Sequence, residues 1–436
     1  MAVITCLTVF LLFVFRVGSS VYETHQHIER AGYVAETHRV TTEDGYILEM
    51  YRIPFRRGET SGSADRPVVF FLHGLLAASI SFIRLGRNYA IAYNLADAGF
   101  DVWLGNARGN RNSRFHVSLD PDANAQEFFD FTWHEIGVYD IPAMIDYILE
   151  ETGNQRLHYI GHSQGGTAFF VMASMRPEYN EKIALAHLLA PAGYKTHFPH
   201  PILRPLTPLT NIVWSLAVRI GVIEIFPPNP VFPLYDNVKP DELWQYCFGD
   251  IQFKDLCLMT GIKEIMESYD DDRLPGYFLF QGGASLKQIA HYGQNIKDDS
   301  FRQWDYGAVG NIANYGTRTP PVYNMSLITS DVEIHYTVSD TLVGVGDVYA
   351  MAEDMPNCKL RRVARENFGH GDFVEAKDAR ELVTAHIIEV IQNYDGTIEE
   401  PEIIESESNE GDSSSTIVLS MAVKIYLIIF TLYSFL

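Results

Sequence analysis

Between residues 66 and 193 short, wholly apolar runs alternate with longer stretches whose apolar positions recur every three or four residues. The runs PVVFFLHG (67–74), FDVWLGNA (100–107), RLHYIGHS (156–163) and IALAHLLAPA (183–192) have the length and composition of strands buried on both faces. In IPAMIDYILEETG (141–153), by contrast, Ile141, Met144, Ile145 and Ile148 share one helical face, and GGTAFFVMASMRPEY (165–179) has the spacing of a packed helix. That alternation predicts an α/β class: a mostly parallel central sheet with helices on both faces. The pattern stops near residue 193 and resumes near 320. It continues with strands VEIHYTVSD (332–340) and KLRRVARE (359–366) and a long closing helix over about 372–394. Ahead of the first buried run, TTEDGYILEMYRIP (41–54) reads as an antiparallel hairpin at the sheet edge.

The interruption has a different texture. Pro199, Pro201, Pro205, Pro208, Pro227, Pro228, Pro230 and Pro233 forbid long regular strands, and short apolar helices fit between them, as in NIVWSLAVRIGVIEIF (211–226). Because the chain then resumes the same strand–helix pattern, the segment reads as a helical cap inserted over the carboxyl edge of one sheet rather than as a second domain. The layout expected is a leader (1–20), core (21–193), cap or lid (194–319), core again (320–396), an acidic disordered stalk (397–416) and a hydrophobic tail (417–436).

Composition changes this picture mainly at the ends. The apolar run at 1–15, followed by Gly18, Ser19 and Ser20, has the form of a secretory signal peptide. The stalk carries no basic residue and too little apolar surface to fold. The apolar tail is broken by Lys424, which argues for a GPI-attachment signal, with a transmembrane anchor and a core helix as the competing readings. A net charge of −22 argues against nucleic acid as a partner. Four cysteines in a chain bound for the secretory pathway permit disulfides. Cys6 leaves with the leader, and Cys247 and Cys257 are close enough to close a loop, which leaves Cys358 free. Asn324-Met325-Ser326 is a glycosylation sequon. No cysteine or histidine spacing suggests a metal, and nothing calls for a cofactor.

The chemistry concentrates at Gly161-His162-Ser163-Gln164-Gly165, between a predicted strand and a predicted helix. A G-x-S-x-G at such a joint is the nucleophile elbow of α/β-hydrolases, a turn so tight that the positions two before and two after the serine must lack a Cβ. A hydrolytic serine needs a base, an acid to orient the base and two backbone donors for the oxyanion, and in this fold the order is serine, acid, histidine. His370, in the glycine-flanked ENFGHGDF (366–373) after the last strand, fits the base. Asp340, closing VEIHYTVSD, fits the acid better than Asp347, expected to begin or cap the next helix, or Asp331, at the wrong end of the strand. The oxyanion donors expected are the Gln164 and Leu75 amides, the latter aimed by Gly74, with His73 supporting the loop.

These motifs resemble those of the acid lipases, the group of gastric lipase, lysosomal acid lipase and related insect lipases. The similar stretches are VTTEDGYILEMYRIP, FLHGLLAAS, DVWLGNARGNRNSR, FTWHEIGVYDIPAMIDYI, HYIGHSQGGTAFF, YTVSDTLVG and GHGDF, spread over most of residues 25–395. The resemblance implies the α/β-hydrolase fold, a mobile lid within the cap, hydrolysis of acylglycerols or sterol esters at a lipid interface, and the same Ser163, Asp340, His370, Leu75 and Gln164. Two stretches depart from it. Where relatives have HLDF this chain has His370-Gly371-Asp372-Phe373, and YTVSDTLVG replaces an NGGNDLLA-like form. An esterase for shorter, soluble esters and a non-catalytic lipid-binding protein on the same scaffold are the alternatives. The stalk and tail, which the resemblance does not explain, suggest attachment at the outer cell surface.

Overall fold

A computed structural model of the chain describes residues 24–61, 66–201, 203–225 and 282–396. Eight strands form the body of one sheet: β1 (Glu36–Thr41), β2 (Tyr46–Ile53), β3 (Val68–Leu72), β4 (Asp101–Gly105), β5 (Leu157–His162), β6 (Ile183–Leu189), β7 (Val332–Tyr336) and β8 (Cys358–Arg362). They lie in the order β1-β2-β4-β3-β5-β6-β7-β8, and the two-residue strand Phe115–His116 pairs with β2. The β1–β2 and β2–β4 pairs are antiparallel and the remaining pairs along the sheet are parallel. The principal helices are α1 (Ile91–Ala98), α2 (Ile141–Thr152), α3 (Gln164–Met175), α4 (Thr210–Arg219), α5 (Leu286–Lys297), α6 (Val345–Asp354), α7 (Asp372–Glu375) and α8 (Ala385–Asn393).

The strands are apolar without alternation because each of their faces is covered. Phe70, Leu72, Tyr159, Leu188 and Ile334 point to one side, where Met144, Ile145 and Ile148 of α2, Ala168 and Val171 of α3 and Met351 of α6 complete a core. Phe71, Val102, Leu104, Ile160 and Leu189 point to the other, against Ile91 and Leu95 of α1 and Ile387 and Ile391 of α8. Burying one such side chain contributes roughly 1.5–3 kcal/mol, so the period-2 register is strongly fixed.

The elements differ from the sequence expectation mostly at their ends. β6 stops at Leu189, not 192, because Ala190 turns to φ 47° and Pro191 lacks an N–H. β7 stops at Tyr336, and residues 337–340 form the turn that carries Asp340. The edge hairpin begins earlier than residue 41: β1 spans Glu36–Thr41 with no buried residue, so hydropathy could not reveal it. The closing helix is not continuous. It is divided into α7, a π-helical turn at Arg380–Thr384 and α8, with Ala376 in an extended conformation at ψ 137°. Phe373, Val374, Ala376, Ala379 and Val383 are buried throughout this stretch, so the apolar period runs straight across the break.

After β6 the chain leaves the sheet and returns to it at β7, which pairs directly with β6. In between, Glu224–Ile225 pairs with Ala284–Ser285, and α4 packs against α5 through Gln294 Nε2 donating to Asn211 Oδ1 at 3.0 Å. Among the described residues no helix is long and apolar enough to cross a membrane. The leader, the stalk, the tail and both Cys247 and Cys257 lie outside the described residues; Cys358, half-buried, is a free thiol.

Candidate active site

The joint between β5 and α3 is as tight as its glycines require. A Cβ on Gly161 would lie 2.7 Å from the Gly165 carbonyl carbon, and one on Gly165 would lie 2.2 Å from the Leu72 carbonyl oxygen at the end of β3. No side chain fits either position. Ser163, between them, is held at φ 52° and ψ −111°, a left-handed φ that costs a non-glycine residue of order 1–3 kcal/mol. Its backbone offsets that strain: the N–H donates to Leu189 O at 2.9 Å, and the carbonyl accepts from Gly166 N at 2.9 Å and Thr167 N at 3.2 Å. The side chain is thereby pushed out of the turn.

Three residues distant in sequence meet there. Ser163 Oγ lies 2.8 Å from His370 Nε2, and His370 Nδ1 lies 2.7 Å from Asp340 Oδ2. The other carboxylate oxygen of Asp340 accepts the Leu342 amide at 2.7 Å and the Val343 amide at 2.9 Å. Burial alone would raise the Asp340 pKa, but His370 and these amides outweigh it and hold the carboxyl below its ordinary range. An ionised Asp340 takes the Nδ1–H of His370, which leaves Nε2 as the acceptor facing the serine hydroxyl. The competing acids are engaged elsewhere. Asp331 accepts the Tyr394 hydroxyl at 2.7 Å, at the far end of β7. Asp347 does not cap α6; it is buried in the first turn and accepts the His197 amide at 3.0 Å.

The loop after β3 approaches the serine from the other side. A Cβ on Gly74 would sit 3.1 Å from Ser163 Cβ, so the loop passes against the nucleophile at the residue before Leu75. Gln164 opens α3, and its amide, in the first turn, has no acceptor within the helix. His73 does not join the serine. Its Nδ1–H donates to Gly74 O at 2.8 Å and its Nε2 accepts from Ala107 N at 3.2 Å, as the loop-supporting role requires. Complete burial lowers its pKa to about 4, which keeps the ring neutral and this tautomer fixed.

Several supports were not legible in the sequence. Asn110 Nδ2 donates to Ala77 O at 2.7 Å, and Gly282 N donates to Leu76 O at 2.9 Å, so the Leu75 loop is braced by a residue after β4 and by the far end of the insertion. His162 Nε2 donates to the His370 carbonyl at 2.9 Å; burial foremost, and then the neighbouring His370, lower its pKa to about 3 and keep it neutral. Arg84 and Glu375, both nearly buried, form an ion pair that joins the segment after the Leu75 loop to the helix after His370. The only sequence hint of these roles is position, since Asn110, His162, Arg84 and Glu375 lie in or within a few residues of a motif, and Gly282 has not even that.

Comparison with known proteins follows the same lines. Residues 24–86 match the family model described as the partial alpha/beta-hydrolase lipase region, and residues 67–217 match that of the alpha/beta hydrolase fold. Lipase 3 of Drosophila melanogaster is 36% identical over 400 residues, which cover 90% of this chain and 98% of that protein. Lipase 1 of the same fly is 38% identical over 331 residues, 74% of this chain and 71% of that protein. Gastric triacylglycerol lipase of Homo sapiens is 33% identical over 343 residues, 78% and 83% of the respective chains.

Proposed function

The chain belongs to the acid lipase family of α/β-hydrolases and is a carboxylic ester hydrolase; on that premise we propose that Ser163, His370 and Asp340 cleave acylglycerols or sterol esters through an acyl-enzyme. The observation that carries the assignment is the continuous contact from Ser163 Oγ through His370 to Asp340, at 2.8 and 2.7 Å.

The steps follow from that arrangement. Ser163 Oγ attacks the ester carbonyl carbon as His370 Nε2 takes its proton, and Asp340 stabilises the imidazolium that forms. The negative oxygen of the tetrahedral intermediate is held by the Leu75 and Gln164 amides, aided by the positive end of α3. Collapse breaks the bond to the alcohol oxygen, which leaves with the proton from His370. Water then attacks the Ser163 ester, giving up a proton to His370, and the fatty acid departs as the serine recovers its hydrogen. The preorganised donors act without reorganising, and losing one typically costs about 2.7–4 kcal/mol of barrier. Replacing Ser163 with Ala should remove turnover and leave a folded, secreted protein; hydrolysis retained at more than a trace of the wild-type rate would defeat the assignment.

The preference for water-insoluble substrates is supported by the segment around α4, where Ile212, Val213, Leu216, Ile220 and Val222 are all exposed. A contiguous apolar surface of this kind suits contact with a lipid interface. Comparing a long-chain triacylglycerol emulsion with a dissolved butyrate ester tests this. Higher specific activity on the emulsion is expected, and activity confined to the dissolved ester would identify a short-chain esterase instead.

From the sequence of the two ends we also infer export through the secretory pathway and attachment at the outer cell surface through residues 417–436. Glycosylation is assigned to Asn324, which is exposed in a turn with its Oδ1 accepting from Ser326 N at 3.1 Å. Cys247–Cys257 remains the proposed disulfide. Release of the protein from intact cells by a GPI-specific phospholipase tests the mode of attachment; retention while a GPI-linked control is released would exclude it.

A further inference from the structure

Outside the Ser163–His370–Asp340 contact, on the sheet face covered by α8, three side chains from two adjacent strands converge on one point. His187 lies on β6 and Glu333 and His335 on β7, with His187 opposite Glu333 in register. His187 Nδ1 is 3.1 Å from Glu333 Oε2 and 3.1 Å from His335 Nε2, and His335 Nε2 is 3.0 Å from the same Glu333 oxygen. All three side chains are almost wholly buried.

Hydrogen bonding alone does not satisfy this triangle. If both rings direct an N–H at Oε2, the two donors meet the oxygen only about 60° apart, where carboxylate lone pairs diverge by about 120°, and the N–H groups oppose each other across the third side. If one ring instead turns a lone pair inward, that lone pair faces a carboxylate oxygen at 3.0–3.1 Å. With Glu333 ionised and both rings neutral, each choice of tautomers leaves one close contact of like polarity. The far nitrogens, His187 Nε2 and His335 Nδ1, have no hydrogen-bond partner among the described residues, so none of these fixes either tautomer from outside.

A cation resolves all three contacts together. Displaced about 1 Å from the plane of the three atoms, it would lie about 2.0 Å from each, the ordinary bond length of zinc to imidazole nitrogen and carboxylate oxygen. We propose that His187, Glu333 and His335 bind a borderline divalent cation of the zinc class as a buried structural site. Two nitrogens and one oxygen suit such an ion and disfavour calcium or magnesium, which take oxygen ligands. His386 of α8 supports the site: its Nε2 lies 3.0 Å from Glu333 Oε1 and 3.1 Å from Oε2, and its N–H orients the carboxylate. The cation thereby ties β6, β7 and the closing helix together. Arg361 on β8, paired in register with His335, feels the Glu333 charge but donates to the Leu382 carbonyl at 3.1 Å.

The test uses the purified full-length protein, first stripped by a chelator and then titrated with zinc, and separately with cobalt as a spectroscopic probe. About one equivalent of zinc per chain should bind, raise the unfolding midpoint by several degrees and, as cobalt, give visible ligand-field bands. Glu333→Gln should unfold cooperatively yet lose both the bands and the zinc-dependent shift, and His386→Ala should weaken binding by about 10–100-fold. Should Glu333→Gln not fold, the wild-type titration decides alone. The proposal is overturned if wild-type protein shows neither bands nor a shift, or if Glu333→Gln binds as tightly as wild type.

Discussion

At the scale of single residues, the proposed mechanism depends on which nitrogen of His370 carries its proton, and in it Asp340 sets that. Asp340→Asn would keep the shape but offer an amide to Nδ1, stabilising the wrong tautomer. We expect kcat to fall about 10⁴-fold with KM little changed, measured on a soluble ester. A loss under tenfold would mean that Asp340 only packs. Asn110 is tested more gently: it secures the Leu75 loop through Ala77 O, so Asn110→Ala should lower kcat by about tenfold while the protein still folds. That Ser163, His370 and Asp340 would meet was legible in the sequence, because the proposed chemistry fixes their type and the fold fixes their order. Asn110 and His162 were not, since a side chain that holds a carbonyl carries no signature beyond polarity.

At the scale of elements, the elbow and the Leu75 loop are positioned by backbone packed too closely for a side chain. A Cβ on Gly282 would come 1.7 Å from the Ala77 carbonyl, so Gly282→Ala must push the loop that carries Leu75. Activity should drop at least about tenfold with the unfolding midpoint nearly unchanged; an equal loss of stability would place the effect in folding instead. The buried strands of the parallel sheet were readable because continuous apolar runs have few other uses. Their ends were not, because Ala190 and Tyr336 stop strands for reasons of turn geometry that hydropathy does not encode. The break between α7 and α8 was hidden for a related reason: its residues keep facing the core while the backbone leaves the helix.

At the scale of the whole molecule, the interior holds many neutral imidazoles. Burial foremost lowers His27 and His73 to about 4 and His158, His162 and His291 to about 3. In the unfolded chain the same groups take up protons near pH 6.5. Between pH 6.5 and about 4 the unfolded chain therefore binds more protons, and stability falls as the pH falls. Asp140, raised to about 6 by burial against the pull of Arg108, acts in the opposite sense, as do Glu375 and Asp372, but the histidines outnumber them. The unfolding midpoint should drop by about 5 °C or more from pH 7 to pH 4.5, and a midpoint that rises on acidification would refute this balance. The most direct test of the whole account is to react the folded protein with a fluorophosphonate and map the adduct by peptide mass spectrometry. One adduct on Ser163, formed in step with the loss of lipid hydrolysis, is the expected result. Full modification of Ser163 with hydrolysis intact would contradict it.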